Sequence, residues 1–385
     1  MNYVYLDNAA TAYPKPPSVE SAFLTAAHTA FGNAGRSSHH PARLAADCLY
    51  DCRSRIASHF GGDATRVVFC ESATHALNLA IKALTPPDSH LLLSHMEHNA
   101  TLRPTYALQK KGVSYSLYAC GAKGASNEQE DTAAVLASLE KQRKQNTVGV
   151  IACHRSNCLP LTLPLQAIGD YCHKNGLFFI VDAAQSAGTC RIDLERCHIT
   201  ALCAPGHKGL MGFRGTGFVL FGKAVKDEAL QTLLEGGSGS DSLALTMPSL
   251  LPERLEAGTR PIEVIAALAE GIRFVEGVGC ESIGEKEAYL SAYLKDRLKR
   301  LKHIRLLMPH RTSHATVLFQ VDGKSPSAVA EALSDGGICL RDGLHCAPLA
   351  HRLVGSEKTG ALRASFGYFN TERDADALVY ALKHQ

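Results

Sequence analysis

The chain has no basic run and no basic patch interleaved with aromatics. Its 40 Lys+Arg are nearly balanced by 37 Asp+Glu, so a nucleic-acid partner held by clustered cations is not expected. No apolar run approaches the ~20 residues of a membrane-spanning helix. The amino terminus carries Asp7 and no apolar h-region, so it does not read as a secretory signal, and a cytoplasmic location is expected. The thirteen cysteines include no CxxC pair and no zinc-like Cys/His spacing, so neither a metal site nor a disulfide framework is expected, and reduced intracellular thiols fit better. Partners are expected among small molecules and proteins. With 385 residues, 45% apolar and 20% charged, the chain has room for two or three domain-sized units and a large buried core.

Residues 1 to about 20 hold several prolines and no helical period, and read as an extended arm containing Asn8-Ala9-Ala10-Thr11. A Gly/Ser-punctuated turn over 32–39 precedes a predicted helix from about 41 to 60. A regular alternation follows, with predicted strands at 67–70, 91–94, 113–118, 148–153 and 178–181 and helices between them at 73–84, 101–111, 132–144 and 165–174. The last of these helices ends on Asn175-Gly176, a C-cap signal. Short apolar runs at 201–204 and 217–221 close the series. The segment 235–242, Glu-Gly-Gly-Ser-Gly-Ser-Asp-Ser, is either a flexible loop or an active-site cover.

Beyond it the sequence predicts helices at 262–276, 281–302 and 325–334, and strands at 304–308, 316–320, 338–341 and 362–365. A last helix opens at Thr371 on a Thr-Glu-Arg-Asp capping box. The pattern specifies an α/β fold whose mostly parallel sheet carries helices on both faces. Residues 20–259 are expected to form the large domain, and 260–385, with the arm 1–19, a smaller C-terminal α/β domain.

Ligands of a wound parallel sheet sit at the carboxyl ends of its strands. The strand at 178–181 delivers Asp182, and the run at 201–204 delivers Pro205-Gly206-His207-Lys208. An acid and an amine on two strand ends are what pyridoxal phosphate (PLP) chemistry needs: a lysine for a Schiff base and a carboxylate to keep the pyridine nitrogen protonated. Either residue alone is also compatible with an ordinary surface. The other strand ends add polar groups. Ser72-Ala73-Thr74 opens a helix and is either a phosphate turn or a plain N-cap. His98 either stacks on a ring or is solvated. Asn157 either contacts a ligand or serves a turn, and Gln185 is placed to meet a phenolic oxygen.

In the second region Arg341-Asp342-Gly343-Leu344-His345-Cys346-Ala347-Pro348 follows a strand. Cys346 alone among the cysteines sits in a Gly/Pro-bounded loop beside a histidine and near an arginine, the electropositive setting of a reactive thiol. His345 is the candidate proton carrier for it, on neighbourhood alone. Arg363, in an apolar strand-like run, needs a carboxylate partner, either a structural acid or a substrate.

The set YLDNAAT, SHMEHNA, SNCLPL, VDAAQSAG, GHKG, EAGTRP, RDGLHCAP and LRASFGYFNT resembles the class V, fold-type I PLP enzymes over essentially the whole chain. Within them it is most similar to the cysteine desulfurases and selenocysteine lyases whose catalytic cysteine follows R-x-G-x-H. The resemblance implies a large domain with a seven-stranded type of sheet. It implies that Lys208 binds the cofactor aldehyde, Asp182 pairs with the ring nitrogen, Gln185 meets the ring hydroxyl and His98 stacks on the ring. Thr74 and His207, with Ala73 at the same turn, would hold the phosphate, together with Thr259 donated by the other subunit of a homodimer. Arg363 would bind the substrate carboxylate, with help from Asn157 and Arg341 nearby, and Cys346 would take the sulfur.

The implied activity is conversion of L-cysteine to L-alanine with a persulfide left on Cys346 for a sulfur-acceptor protein. Selenocysteine lyase chemistry, or another class V aminotransferase or lyase activity in which Cys346 is not a nucleophile, is the alternative. Four positions depart from the family pattern: Gly35, Ala73, Pro205 and Leu344.

Overall fold

Short apolar runs without polar alternation dictate strands buried on both faces. They form a seven-stranded sheet in the computed structural model, which describes residues 3–383 apart from 36, 122–127, 241–242 and 312–313. Arg36 of the Gly/Ser turn and Asp241 and Ser242 of the 235–242 segment lie outside the described residues.

In chain order the elements are β1 (Val4–Tyr5), α1 (Pro17–Thr29), α2 (His40–Phe60), β2 (Val67–Cys70), α3 (Ala73–Leu84), β3 (His90–Ser94), α4 (Asn99–Ala107), β4 (Ser114–Tyr118), α5 (Glu128–Gln142), β5 (Thr147–Cys153), α6 (Leu165–Lys174), β6 (Phe178–Asp182), β7 (Ala201–Pro205) and β8 (Gly217–Phe221). There follow α7 (Ile262–Val278), α8 (Cys280–Leu298), β9 (Ile304–Leu306), β10 (Thr316–Val321), α9 (Pro326–Asp335), β11 (Ile338–Cys339), β12 (Arg341–Gly343), α10 (Pro348–Leu353), β13 (Ala361–Ser365) and α11 (Glu372–Lys383). The large sheet has the order β2-β8-β7-β6-β5-β3-β4, with β8 antiparallel to both neighbours and the other pairs parallel.

Successive side chains point to opposite faces, so each strand feeds two cores. Leu91, Leu93, Ile151 and Ile180 pack with Leu77, Ala80 and Ile81 of α3, whereas Leu92, Val150, Phe179 and Val181 pack with Ile56 and Phe60 of α2 and Ile168 of α6. Each fully buried Leu, Ile, Val or Phe contributes about 1.5–3 kcal/mol. The smaller antiparallel sheet, order β12-β13-β10-β9, shares a core with Leu290 and Leu294 of α8 and Leu378 and Leu382 of α11. No helix among the described residues is long and apolar enough to cross a membrane.

Two sequence expectations differ from the structure. The arm does not stay extended to residue 20: Pro17 starts α1, which packs on α7. Proline at N1 lacks an N–H that a helix start leaves unbonded anyway, so the same residue that suggested an arm begins a helix. The single strand expected at 338–341 is two. Ile338 and Cys339 pair with Val4 and Tyr5, while Arg341 to Gly343 pair with β13. The arm and β11 make a separate two-stranded sheet, Asp7 then bridges Ser365 of β13, and Leu6 is buried in the core of the smaller sheet.

Glu256 fastens α2, β2 and the segment before α7. Its two oxygens accept from Arg53 Nη1 and Nη2 at 2.9 and 2.8 Å, and Oε1 also accepts from Phe69 N at 2.5 Å. Removing one partner of a buried pair strands the other charge. Glu256→Ala is expected to lower unfolding free energy by about 3–5 kcal/mol in a urea titration.

Candidate active site

The carboxyl ends of β2, β3, β5, β6 and β7 open on one cleft of ≈ 220 Å³, whose walls include Thr74, His98, Asn157, Asp182, Gln185, His207, Lys208, Arg341 and Arg363. Register makes this convergence. Cys153 of β5 lies beside Asp182 of β6, which lies beside Cys203 of β7. Asp182 is 3% exposed. Burial pushes its carboxyl up, opposed by the Ala184 N–H donated to Oδ1 at 2.9 Å and by the Lys208 charge. Burial likewise brings the Lys208 amine down to about 8, against the pull of Asp182.

Pro205 has a structural reason. Ala183 N donates to the Cys203 carbonyl at 2.9 Å, and the next rung of a parallel ladder would need an N–H from residue 205. Proline has none. The Ala183 carbonyl instead accepts from Ser186 N and Ala187 N, at 3.0 and 2.8 Å. The two strands part there, and the chain turns into Gly206-His207-Lys208.

The residues present fit a PLP molecule. Ala73 N and Thr74 N, in the first turn of α3, have no intrahelical acceptor and lie on the cleft. Ser72 is committed as the N-cap, its Oγ accepting from His75 N at 3.2 Å, which leaves the Thr74 hydroxyl for an anion. Gly217 permits this turn to sit against β8, because a Cβ there would lie 2.7 Å from the Ser72 carbonyl carbon and 3.1 Å from Ala73 N. His207 Nδ1 and Asn157 Oδ1 are buried without a partner. Burial, then neighbouring Lys208, brings both His98 and His207 down to about 4, so both rings are neutral at pH 7. His98 caps α4, its Nδ1 accepting from Ala100 N at 3.0 Å, which holds the ring in one orientation.

The loop carrying Cys346 is tied into this cleft by backbone. Its carbonyl accepts from Asn99 N at 2.8 Å, and that of His345 accepts from Asn157 Nδ2 at 2.7 Å. Arg341, on the cleft wall, places Nη2 3.8 Å from Cys346 Sγ. Cys346 is the exposed member of the cysteine set. His345 and Cys346 both have positive φ, 52° and 56°, a conformation costing about 1–3 kcal/mol at each non-glycine residue.

Both ring nitrogens of His345 face partners other than the thiol. Its Nδ1 faces His351 Nε2 at 3.0 Å and its Nε2 faces the Arg341 carbonyl at 3.3 Å. Arg363 is fully buried. Its Nη2 bonds Asp7, its Nη1 donates to the Asn157 carbonyl at 3.0 Å, and its Nε has no partner. Asp7 is thus a structural acid for one edge of the guanidinium, which also lies on the cleft wall. Thr259 is exposed and stands apart from the cleft, in a separate hollow with Glu71 and His75.

Sequence reasoning passed over Asp7 and also Glu97. Glu97 is completely buried. Its Oε1 accepts from Ser94 Oγ at 2.5 Å and from Cys153 N at 2.7 Å, so it braces β3 against β5 directly before His98. The one local signal is an acid directly before the strand-end His98, among the polar residues that follow β3.

The chain belongs to the aminotransferase class-V family, whose model matches residues 4–378. It is 30% identical to a probable cysteine desulfurase of Halalkalibacterium halodurans over 99% of this chain and 92% of that protein. It is 29% identical to a cysteine desulfurase of Haloferax volcanii, over 98% and 88% respectively. Its fold matches the apo structure of a cysteine desulfurase from Thermococcus onnurineus NA1 with a TM-score of 0.88, at 27% identity over 99% of this chain and 94% of that one. The cysteine desulfurase CsdA of Escherichia coli, in its S-sulfonic acid form, matches at 0.86 and 26% identity, over 99% and 94%. The architecture is that of fold-type I PLP enzymes.

Burial moves the Glu97 carboxyl from 4.5 up to about 8, with the Asp182 charge adding to the rise. An acid whose folded pKa is raised binds more protons folded than unfolded, so its cost is absent below the unfolded value, grows as pH rises from about 4.5 to about 8, and is complete above that. Glu97→Gln keeps the shape of the protonated acid. It is expected to raise the melting temperature of the cofactor-free protein at pH 9 and to leave it nearly unchanged at pH 4.5, as read by scanning calorimetry across that range.

Proposed function

We propose that the protein is a PLP-dependent cysteine desulfurase, converting L-cysteine to L-alanine and taking the sulfur onto Cys346. The observation that carries this reading is the seat of Cys346: its peptide is bonded to Asn99 at the mouth of the cleft, and Arg341 spans from the cleft wall to its Sγ. A thiol so placed can meet a substrate side chain held between Asp182 and Lys208. Several full-length relatives named as cysteine desulfurases support the same reading.

When bound, PLP supplies an aldehyde for the substrate amine and a ring that accepts electrons. In this reading the α3 N-terminus, Thr74 and His207 hold its phosphate, Asp182 keeps the ring nitrogen protonated, Gln185 meets the ring oxygen and neutral His98 covers the ring face. Lys208 would hold the aldehyde and is the base placed to take the Cα proton; its lowered pKa suits it to gain and lose one near neutral pH. Arg363 and Arg341 face the substrate carboxylate, with Asn157 fixing both Arg363 and the His345 carbonyl. Cys346 Sγ, as thiolate, attacks the substrate sulfur and keeps it as a persulfide; the electron pair of the broken carbon–sulfur bond stays on Cβ, which takes up a proton, Lys208 returns the proton to Cα, and alanine leaves. The outer sulfur of the persulfide passes to a thiol of an acceptor protein, which restores the Cys346 thiol. Thr259, exposed and away from its own cleft, fits donation to the phosphate site of a second subunit in a homodimer. The reaction is assigned to the cytoplasm.

Lys208→Ala is expected to abolish the visible absorbance of the purified protein and to lower alanine formation from cysteine by about 10³-fold. Cys346→Ala should keep the absorbance and lose both cysteine turnover and the protein-bound persulfide detected by mass spectrometry. Normal alanine formation by Cys346→Ala, or a transamination product in its place, would sink the desulfurase reading while leaving the family intact.

A further inference from the structure

Behind Cys346 three buried side chains run inward from the loop as one hydrogen-bonded chain. His345 Nδ1 faces His351 Nε2 at 3.0 Å, and His351 Nδ1 faces Ser356 Oγ at 2.8 Å. At the other end His345 Nε2 faces the Arg341 carbonyl at 3.3 Å. The exposures of His345, His351 and Ser356 are 2%, 0% and 0%. The two rings lie nearly parallel, 10° apart.

Donor and acceptor roles follow from the end of the chain. A carbonyl only accepts, so His345 Nε2 carries the hydrogen. The Nδ1 of a neutral His345 must then accept, and His351 Nε2–H is the donor it faces. That leaves His351 Nδ1 to accept from the Ser356 hydroxyl. The arrangement is self-consistent with both rings neutral. A proton added to His345 would require the whole chain to reverse, with Ser356 turned to the His351 carbonyl at 3.5 Å. Burial and the two cations facing His345, Arg363 and Arg341, oppose that charge, and burial opposes it at His351.

We propose that His351 and Ser356 are positioning residues for Cys346. They fix His345 as the neutral Nε2–H form bonded to the Arg341 carbonyl, and so hold the left-handed 345–346 turn that sets the thiol beside the Arg341 side chain. His345 is thereby a strut and not the proton carrier of the thiol. The consequence for turnover rests on the desulfurase reading; the consequence for ring protonation and loop order does not.

The test compares holoenzyme variants by four measurements. In protein labelled with 15N-histidine, with ring signals assigned by loss in the variants, His345 is expected to keep a protonated Nε2 and a bare Nδ1 from pH 6 to 8. His351→Leu removes the inner donor. It is expected to lower kcat for cysteine about tenfold with KM unchanged, as the loss of one buried hydrogen bond allows. It should also speed hydrogen exchange at the Ala347 amide, which donates to the Leu344 carbonyl at 2.9 Å, and leave the visible spectrum as it was. His351→Gln, whose amide N–H can stand where Nε2–H stood, is expected to recover kcat to within about threefold. Ser356→Ala keeps both rings, frees only His351 Nδ1, and reports on the chain should His351→Leu not fold; about a threefold loss is expected of it.

Titration of His345 between pH 6 and 8, or a hydrogen resident on its Nδ1, overturns the proposal. So does wild-type kcat and exchange in His351→Leu, or in Ser356→Ala if that is the variant that folds. If the wild-type holoenzyme makes no alanine from cysteine, the desulfurase reading falls, and the ring and exchange measurements still decide the fate of the relay.

Discussion

The in-step register of three neighbouring parallel strands, β5, β6 and β7, is the constraint on which the rest of the molecule depends. It places Cys153, Asp182 and Cys203 side by side at the rim of the sheet, and every group of the cleft is positioned relative to that rim. The register is specified by burial, since a slip of one residue would exchange the Leu92, Val150 and Phe179 face for the Leu91, Ile151 and Ile180 face against two different helical layers. A proline where the β6–β7 ladder would continue lets the strands part and turns Lys208 back toward the acid. Hydrophobic layering thus determines where the chemistry sits, although none of the chemical groups contributes to the layering.

Burial is also the first cause of the shifted ionisations in and around the cleft. It raises Asp182 and Glu97 and lowers Lys208, His98, His207 and His345. Neighbouring charges act second, and they act in a consistent direction on the histidines, which all face cations. The result at neutral pH is a set of uncharged imidazoles among Arg341, Arg363 and Lys208. Positive charge in the cleft is thus carried by the two guanidiniums and the amine, while the histidines are left as neutral hydrogen-bonding rings.

The large sheet was legible because apolar runs bounded by turns announce buried strands, and the residues after each run could be collected as one site without any coordinates. Asp182, Lys208, His98, Asn157, Gln185 and His207 do meet on one cleft wall. What could not be read were partners distant in the chain. Arg363 plainly needed an acid, but nothing local distinguishes Asp7 from the other carboxylates. Glu97 was hidden among polar strand-end residues because its burial depends on β5 closing over it. Sequence adjacency to Cys346 also gave no sign that the His345 ring faces His351, six residues on. Helix α1 escaped because its leading prolines suit both an arm and a helix start.

The arm introduces a matter of timing. Asp7 bonds Arg363 across 356 positions, and Asn8 donates to Asn370 Oδ1 at 3.0 Å across 362. The same arm supplies the Ala9 carbonyl that accepts from Gln185 Nε2 at 3.0 Å. During synthesis residues 7 and 8 must therefore wait for residues 363 and 370 before either pair is made, and contacts of such long sequence separation are slow to form. The strands of the large sheet all lie between residues 67 and 221, whereas Arg341 and Arg363 of the cleft wall come more than a hundred residues later, so the sheet precedes its own site in the order of synthesis.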